Sequence, residues 1–565
     1  MALGLPSVLL SDRGLRYSRG RPRSTFFRPS VEHGVSDSAY PHTIARTQLS
    51  KAFNFDLSKD GFMETRGGSI KITDTDPAST GSFPTAHIYT KRETDGTITR
   101  KRMMVSGTVL YEYNTSTGVW DSKQTGLATD RVSMVNFVNA AGTDVMLLAD
   151  GNALYMYDGS SVSNITANFT AGSATQAPRY LLVKHNVCFA AGDDANPDVL
   201  FWCDPLKPNS DWPSNGFALL EGGLDKITGI SELYNYVIVG CLNSIYMVTG
   251  RISATFALFK VNNDQGTTSH WSMVSQGGYV YFANSSGFFI GKLRAAEDDG
   301  MDVEYISQNM QRTFSNIVAG FWDNIQGTYH DGKQAIYWTV RTGSNSHPDK
   351  LFVYSVIRSQ PVLGPPEFGP DLRYVWAGYY TGINWNSITV QKDSNGKDEL
   401  YAIDNNGTMY LLHSEFKDKR AVGESVAGTD VSYEIRTRAE TFGGRGVTAR
   451  VMEWFPTLYQ KHNGAFSVQF LIDSTELFPA SPINIKFTGN IPYWHDGTDD
   501  QISATWNGSL WVGKPILNAK LSLAKKCYAV IAIITADGSN TKEEGTWVGY
   551  DMLYQRDPIP QGKAT

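Results

Sequence analysis

The sequence has few cysteines and lacks long apolar runs. Its four cysteines among 565 residues are too few for a disulfide framework, and their spacing matches no zinc or redox pattern. We expect buried thiols in a reducing compartment, with one cross-strand disulfide between Cys188 and Cys203 as the alternative. No stretch approaches the roughly 18 apolar residues of a membrane span. The start, residues 1–10, lacks the basic region of a signal peptide, so none is predicted.

Motifs that mark a catalytic centre are also missing. The sequence contains no GxSxG elbow, HExxH helix, P-loop or EF-hand loop. Its ten histidines are scattered and share no metal-ligand spacing. We therefore predict a protein that is not an enzyme and has no catalytic residue, metal ion or cofactor.

Glycine and aromatic residues are abundant, and they occur in short β-rich runs joined by tight turns. Asp150-Gly151 and Asn406-Gly407 supply turn residues that favour a positive φ, as β-hairpins require. Each run alternates or ends in aromatic side chains, so we predict hairpins at residues 104–114, 145–159, 236–250, 279–292 and 399–413.

The hairpins predict an all-β chain with a β-propeller over residues 51–413. Equivalent strands recur every 40 to 60 residues or so, near the repeat length of propeller blades, and this indicates about six to eight blades. Stacking such hairpins radially buries their apolar faces and leaves only short edges. Two consecutive β-sandwiches are the alternative.

Two further segments follow the predicted propeller. Residues 414–430 are polar, charged and glycine-containing, which is typical of a linker. Residues 431–565 contain alternating runs separated by turns, and they predict a C-terminal β-sandwich.

Charge is distributed unevenly along the chain. The whole sequence carries a net charge of −6, but its first thirty residues contain six arginines and one aspartate. Prolines 22 and 29 interrupt regular structure there, so we predict an extended basic arm over residues 1–50. A solvated tail is one interpretation; the other is an arm that orders on a neighbouring subunit or on a phosphate backbone. The candidate contact residues are Arg13, Arg16, Arg19, Arg21, Arg23 and Arg28.

A proline-rich loop is the second candidate contact surface. Residues 360–373 include four prolines, which an interior strand would not tolerate. We predict a stiff surface insertion that contacts a partner, with a simple crossover as the alternative. The residues singled out are Pro361, Pro365, Pro366 and Phe368.

Carboxylates and aromatic rings provide the argument for a glycan-active propeller. Glycosidases use two carboxylates that face a cleft, and acidic pairs occur at Asp193/Asp194, Asp298/Asp299 and Asp499/Asp500. All three pairs lie in turn-like stretches, where solvated acids are common. Rings that could stack on sugars or pack in blades occur at Tyr379, Tyr380, Trp385, Trp494, Trp506 and Trp511. The stretch 404–410 resembles the Asp-box turn of sialidases with one residue too many, so a hairpin turn is predicted.

The order of several short motifs resembles one family of bacteriophage virion proteins. Asn54-Phe55-Asp56-Leu57, Asp60-Gly61-Phe62 and Thr65-Arg66-Gly67-Gly68 look like the opening of tail-nozzle and packaged-DNA stabilisation proteins of short-tailed phages. Residues 107–113 and 152–159 match their repeated Gly-x-x-Leu-Tyr-x-Tyr hairpins. The Pro-Gly usual after the arginine is Gly67-Gly68 here, and the arginine-rich start has no counterpart in the family.

This resemblance implies a structural protein of the virion tail or neck, made in the host cytoplasm. Such proteins form rings, commonly of six copies, below the portal and its adaptor, and they extend the channel through which the genome leaves. The implied partners are other copies of the chain, portal, adaptor or other tail proteins, a fibre or spike, and transiently the DNA. The alternatives are a glycan-binding or glycan-hydrolysing propeller and an intracellular scaffold.

Overall fold

A computed structural model describes most of the chain outside its two ends. The described residues are 23–28, 33–486, 516–518, 521–537 and 545–556. Within 33–486 the description omits 38–39, 42, 46, 74, 79, 167–169, 172–173, 176, 208–211, 213–216, 219–224, 253–254, 295–299, 360–372, 394, 416, 420–427, 443–447, 461–464 and 474.

Five short strands come first in the chain. They are β1 (Arg23–Arg28), β2 (Lys51–Phe53), β3 (Phe55–Leu57), β4 (Met63–Thr65) and β5 (Gly68–Lys71).

Six antiparallel sets of four strands, called here sheets 1 to 6, then follow in chain order, and the sixth set continues into a larger sheet. Sheet 1 contains β6 (Thr85–Arg92), β7 (Ile98–Ser106), β8 (Val109–Asn114) and β9 (Val119–Thr125). Sheet 2 contains β10 (Ser133–Val138), β11 (Asp144–Ala149), β12 (Leu154–Tyr157) and β13 (Val162–Asn164), and a small hairpin of β14 (Thr170–Ala171) and β15 (Ala174–Thr175) follows it. Sheet 3 contains β16 (Tyr180–Lys184), β17 (Val187–Ala191), β18 (Val199–Trp202) and β19 (Phe217–Ala218). Sheet 4 contains β20 (Ile227–Leu233), β21 (Tyr236–Cys241), β22 (Ile245–Thr249) and β23 (Ala257–Asn262). Sheet 5 contains β24 (Val274–Gln276), β25 (Tyr279–Asn284), β26 (Gly287–Leu293) and β27 (Met301–Tyr305). Sheet 6 contains β28 (Gly327–His330), β29 (Ala335–Val340), β30 (Lys350–Ser355) and β31 (Trp376–Tyr380).

Sheet 7 is built from two distant parts of the chain. It contains β32 (Ser387–Lys392), β33 (Asp398–Ile403) and β34 (Met409–Glu415), and its fourth strand is β5 from the N-terminal segment. Ile70 of β5 pairs with Leu411 of β34. The last sheet is therefore completed by a strand that precedes the first sheet.

The seven sheets form a closed cycle. The first strand of each sheet, called here its inner strand, contacts the inner strand of the next sheet, and β32 of sheet 7 contacts β6 of sheet 1. This arrangement is all-β and resembles a β-propeller. The predicted hairpins are confirmed, and Gly151 and Gly407 adopt the positive φ that their turns require, 81° and 78°.

Helical structure is sparse among the described residues. The helices include α1 (Gln311–Phe314) and 3-10 helices over His270–Ser272, Gln308–Met310 and Ala319–Asn324. These helices lie in the connections that precede β24 and β28, the inner strands of sheets 5 and 6.

The C-terminal strands belong to two larger sheets. They are β35 (Ser432–Arg436), β36 (Glu440–Thr441), β37 (Ala449–Gln460), β38 (Ala465–Ile472), β39 (Glu476–Lys486), β40 (Ile516–Asn518), β41 (Leu521–Cys527), β42 (Ala529–Asp537) and β43 (Gly545–Arg556). One sheet joins β37, β40, β41 and β43 to β1, β3 and β4. In the other, β2 connects β31 of sheet 6 to β35, and the sheet continues through β42, β38 and β39, with β36 on β42. Trp454 and Phe470 contact each other between the two sheets, with ring centroids 5.3 Å apart.

The structure places the boundaries between these parts differently from the sequence analysis. Residues 51–65, assigned above to the propeller, supply β2, β3 and β4 to the two C-terminal sheets. Residues 23–28, assigned to an extended arm, form β1 and pair with Tyr550–Gln555 of β43. These partners lie hundreds of residues away, so no local sequence pattern reveals them.

Closure of the cycle depends on backbone hydrogen bonds to β34. The Ile72 N–H, just after β5, donates to the Met409 carbonyl at 3.1 Å. Ile72→Pro removes this donor, and we expect it to lower the free energy of unfolding by about 2 kcal/mol. Ile72→Val keeps the donor and should cost at most about 1 kcal/mol. Urea denaturation followed by tryptophan fluorescence measures both variants, and equal losses would contradict this account of closure.

Candidate functional site

A buried polar junction joins the cycle of seven sheets to the C-terminal sheets. Asn54 lies between β2 and β3. Its φ is 61°, a backbone conformation that residues other than glycine seldom adopt. Its Nδ2 donates to the Ser432 carbonyl at 2.6 Å, and its Oδ1 accepts from the Thr381 N–H at 2.8 Å. Asn54 therefore links the N-terminal segment to the residue after β31 and to the start of β35.

Arg66 and Asp418 form the centre of this junction. Both side chains are about 1% exposed, and two Arg66 nitrogens donate to the two Asp418 oxygens, Nη1 at 2.9 Å and Nη2 more closely. Arg66 Nε also donates to Asn54 Oδ1 at 2.9 Å, and Ser69 Oγ donates to Asp418 Oδ1 at 3.0 Å. Burial alone would lower the pKa of Arg66, but the Asp418 carboxylate outweighs it and the pKa is raised.

Asp418 lies within the segment that the sequence analysis interpreted as a linker. It is 1% exposed and forms a β-bridge with Thr429. A charged residue in a polar stretch normally indicates solvent exposure, and the Arg66 guanidinium together with the Ser69 hydroxyl explains the burial of Asp418. The ion pair with Arg66 thus holds the described part of residues 414–430 against the N-terminal segment.

A second polar cluster lies beside the junction. The Asp56 carboxylate accepts hydrogen bonds from Lys333 Nζ at 2.8 Å and from the Tyr380 hydroxyl, and His413 Nδ1 lies 3.8 Å away. Burial opposes ionisation of Asp56, but Lys333 and His413 outweigh it and lower its pKa to about 2. Burial lowers the pKa of His413 to about 3. The cluster contains acid, base and hydroxyl groups, yet Asp56 and Tyr380 are buried, so the arrangement holds β3 against sheets 6 and 7.

The centre of the cycle is filled where the inner strands begin. Arg131, just before β10, donates from Nη1 to the Asn324 carbonyl at 2.9 Å. Its guanidinium carbon lies 4.4 Å from the Trp271 ring centroid and 4.9 Å from that of Phe83. Burial lowers the pKa of Arg131 to about 9. Residues leading into sheets 1 and 2 therefore meet residues leading into sheets 5 and 6 across the centre.

The candidate contact residues are described only in part. Arg23 and Arg28 are the first and last residues of β1, and their backbones pair with Gln555 and Tyr550. Outside the described residues lie Arg13, Arg16, Arg19, Arg21, Pro361, Pro365, Pro366 and Phe368.

The described residues proposed for glycan chemistry have structural contacts. Asp193 is buried and accepts from Asn196 Nδ2 at 2.8 Å, while the exposed Asp194 pairs with Arg179. Tyr380 and Trp385 are fully buried, and Tyr379 stacks on Phe53. Outside the described residues lie Asp298, Asp299, Asp499, Asp500, Trp494, Trp506 and Trp511.

Two further expectations concern turns and thiols. Asp404 Oδ1 accepts from the N–H groups of Asn406 and Thr408, at 2.9 and 3.1 Å, so this stretch is a hairpin turn as predicted. All four cysteines are buried free thiols, and the Cys188 N–H contacts Cys203 Sγ at 3.2 Å.

The described residues contain neither a cluster of metal-ligand side chains nor a membrane-spanning helix. In that part of the chain, no three histidine, cysteine, aspartate or glutamate side chains are grouped as metal ligands would be. None of its helices has the length and apolar character needed to cross a bilayer.

Comparisons with known proteins give only distant similarities in structure. No protein-family model matches the sequence, and no curated protein matches it. Among solved structures, the N-terminal domain of Nup159 is similar over 61% of this chain and 98% of its own, with 11% identity and a TM-score of 0.33. The structure of BBS1N in complex with ARL6DN is similar over 60% of this chain and 94% of the BBS1N chain, with 11% identity and a TM-score of 0.37. PorZ of Porphyromonas gingivalis covers 74% of this chain and 56% of its own, with 12% identity and a TM-score of 0.35.

In the sequence, Asn54 and Arg66 are recognisable only as parts of a motif. No sequence pattern predicts that Asp418 is the partner of Arg66. The motif residues meet at the junction, which also explains Gly68: a Cβ atom there would lie 2.3 Å from the Lys417 carbonyl oxygen. Asp418 carries no local signal, because its role depends on an arginine 352 positions earlier.

The buried Arg66–Asp418 pair should be strongly coupled. Arg66→Met leaves the Asp418 charge buried without a partner, and we expect a loss of about 4 kcal/mol in the free energy of unfolding. Asp418→Leu should cost a similar amount, whereas the double variant should lose much less than the sum. Chemical denaturation of the four proteins measures this coupling, and additive losses would show that the pair is not the centre of the junction.

Buried neutral histidines should make stability fall in mild acid. His413 has an ordinary pKa of 6.5 and a folded pKa of about 3, so the unfolded chain binds the proton first. The contribution of His413 to the free energy of unfolding is therefore fully present above about pH 6.5 and is lost as the pH falls towards 3. His413→Gln should reduce the slope by about 1.4 kcal/mol per pH unit between about pH 5.5 and 4. His185→Gln, at the partly exposed β16–β17 turn, is the matched control, and an equal effect of both would contradict this origin.

Proposed function

We propose that this chain is a structural protein of a bacteriophage virion, of the tail-nozzle or neck-ring kind. The observation that carries the proposal is that the stretch resembling this family, from Asn54 to Gly68, builds the junction between the two parts of the molecule. Residues that join the two parts of the molecule serve its whole architecture, so a resemblance at these residues is more informative than a resemblance at a local turn. A part of a pressurised channel would also need a junction that holds its two parts in place.

The finer architecture is part of the same proposal. We infer that the cycle of seven sheets is a seven-bladed β-propeller and that the two C-terminal sheets form a β-sandwich. The cyclic contacts between inner strands support the first inference, and the Trp454–Phe470 contact between sheets supports the second. In this arrangement β2 makes the propeller and the sandwich continuous.

The path of the genome follows from the filled centre of the cycle. Because Arg131 and its neighbours occupy the centre, DNA would pass between copies of the chain and not through one propeller. Six copies in a ring below the portal and adaptor would enclose such a lumen. Outside the first thirty residues the chain carries a net charge of −11, which favours a surface along which DNA slides without adhering.

The basic arm is proposed to contact a neighbouring subunit or ring. Because β1 pairs with β43 of its own chain, the contact is proposed for the preceding residues, with Arg13, Arg16, Arg19 and Arg21. The proline-rich loop at 360–373 is proposed as a second contact, for an adjacent tail protein, fibre or spike. On the strength of the resemblance, the tail or neck of the virion is the proposed location of the protein.

Mass photometry of the purified full-length chain tests self-assembly. We expect a species of six times 62.4 kDa and ring-shaped averages by negative-stain electron microscopy. Deletion of residues 1–22, which keeps β1, should leave the unfolding temperature unchanged and weaken association, because it removes the proposed contact residues and no described strand.

Replacing Arg13, Arg16, Arg19 and Arg21 by glutamine is the matched control for arm length. If charge drives the contact, this variant should behave like the deletion. A chain that stays monomeric at every concentration, even with its own portal and adaptor present, would contradict the proposed ring.

A further inference from the structure

A groove lies between the N-terminal segment and the sheet that joins sheet 6 to the C-terminal strands. Its volume is about 420 Å³. The strands β2, β31, β35, β38 and β42 each contribute to its lining, and residues 35–41 and 310–313 also line it. The apolar residues of the lining are Val35, Pro41, Ala52, Met310, Leu471 and Ile531.

The apolar lining continues to the open edge of the sheet. Leu471 on β38 is paired with Ile531 on β42 and with Leu477 on β39. Directly paired residues lie on the same face of a sheet, so the three side chains form one row. Among the described residues β39 is the last strand of this sheet, and Leu477 is 48% exposed there. An exposed apolar side chain beside an apolar groove is typical of a surface that contacts another chain.

Two tyrosines make the groove suitable for a proline-rich chain. Tyr40 and Tyr379 both line it. Tyr40 is 67% exposed, and the Arg312 guanidinium carbon lies 5.5 Å from its ring centroid. Tyr379 stacks on Phe53, with ring centroids 6.0 Å apart. Proline-rich segments bind grooves lined by aromatic rings, because their polyproline II conformation is already ordered before binding.

Two cations at the groove have no carboxylate partner among the described residues. Arg312 is exposed, and the Asp37 carboxylate accepts from its backbone N–H at 3.1 Å and not from its guanidinium. Lys350 Nζ lies 4.7 Å from the Tyr379 ring centroid, and burial lowers the pKa of Lys350. Each of these cations would gain from a carboxylate supplied by a ligand.

The other cations of the groove share a single carboxylate. Glu434 Oε1 lies 2.9 Å from Lys51 Nζ and 2.6 Å from Arg436 Nε. The Lys51 and Arg436 side chains remain 32% and 39% exposed, so both are open to contact. Together with Arg312 and Lys350 they give the groove an excess of positive charge, which an acidic ligand would complement.

The chain itself contains an acidic, proline-rich segment. Residues 360–372, which lie outside the described part, have the sequence QPVLGPPEFGPDL and contain Glu367 and Asp371 but no basic residue. Their four prolines favour polyproline II. The two described ends of this loop meet, because the Ser359 hydroxyl accepts from the Val375 N–H at 2.9 Å. A stiff loop tethered at one place can project about 20 Å, which is far enough to enter a groove on a neighbouring molecule.

We propose that this groove binds residues 360–372 of a second copy of the chain. The two tyrosines would contact the prolines, and the apolar floor would hold Phe368. Arg312 and Lys350 would pair with Glu367 and Asp371. The inference rests on the self-assembly proposed above, and it assigns to the next copy a loop for which an adjacent tail protein, a fibre or a spike is the other candidate.

A synthetic peptide of residues 360–372 tests the groove without requiring assembly. The receptor is the full-length protein with Glu367→Gln and Asp371→Gln, so that its own loops compete only weakly. We expect saturable binding of the fluorescein-labelled peptide by anisotropy. Binding should be at least about tenfold weaker when the receptor also carries Arg312→Gln and Lys350→Gln, because both ion pairs are lost. A peptide with E367Q and D371Q should be weakened to a similar extent.

Arg251→Gln combined with Lys397→Gln, at exposed positions after β22 and before β33, is the matched control and should bind the peptide like the unaltered groove. The glutamine variants should keep the unfolding temperature of the receptor. No saturable binding at about 1 mM peptide would overturn the proposal. Binding that survives both Arg312→Gln and Lys350→Gln would also overturn it, because the peptide would then lie elsewhere.

Charge reversal identifies the molecule that supplies the loop. Arg312→Glu with Lys350→Glu makes the groove acidic, and Glu367→Lys with Asp371→Lys makes the loop basic. Each variant alone should associate less than the unaltered protein in mass photometry. An equimolar mixture should associate again, because each groove then meets a loop of opposite charge on the other variant.

Peptide binding without recovery of association in the mixture would overturn the second copy as the occupant, since the loop would then bind its own groove or another protein. Failure of the peptide to bind, in a chain that still forms rings, would overturn this inference alone. The virion proposal would remain, because ring formation is measured separately by mass.

Discussion

The ion pair between Arg66 and Asp418 is the interaction on which the rest of the structure depends. It connects the segment between β4 and β5 to the chain just after β34, and these are the two places where the cycle closes. Two buried charges are expensive to desolvate, and they persist only when geometry and further hydrogen bonds compensate. Asn54 and Ser69 supply those bonds. The junction therefore favours one arrangement of the strands over any other.

The same junction explains why the N-terminal segment is threaded through the molecule. Within twenty-one residues, β2 enters one C-terminal sheet, β3 and β4 enter the other, and β5 completes sheet 7. A cycle closed only by hairpins would present an unpaired edge and could open there. Because one segment serves all three sheets, opening the cycle also disrupts the C-terminal sheets. We infer that the two parts unfold together.

Much of the fold could be predicted from local sequence patterns, because hairpins are local. Asp150-Gly151 and Asn406-Gly407 marked their turns, and alternating aromatic residues marked the strands that flank them. The pairing of β1 with β43 and the burial of Asp418 could not be predicted in this way. Each depends on a partner hundreds of residues away, and the polar character of both segments suggested solvent exposure. The resemblance located Asn54 and Arg66, but the structure was needed to show what they contact.

The central region of the cycle shows how inner strands take on different roles. Polar side chains lie on or next to the inner strands, where their burial is costly unless they find partners. At one end Arg131 packs against aromatic faces and donates to a carbonyl, while its Nη2 is buried without a hydrogen-bond partner among the described residues. Beside β6, on β32, the amide of Gln391 is likewise buried without a hydrogen-bond partner among the described residues. Buried polar groups without partners carry a free-energy cost that the surrounding packing must offset, so the inner strands stabilise the cycle to different extents.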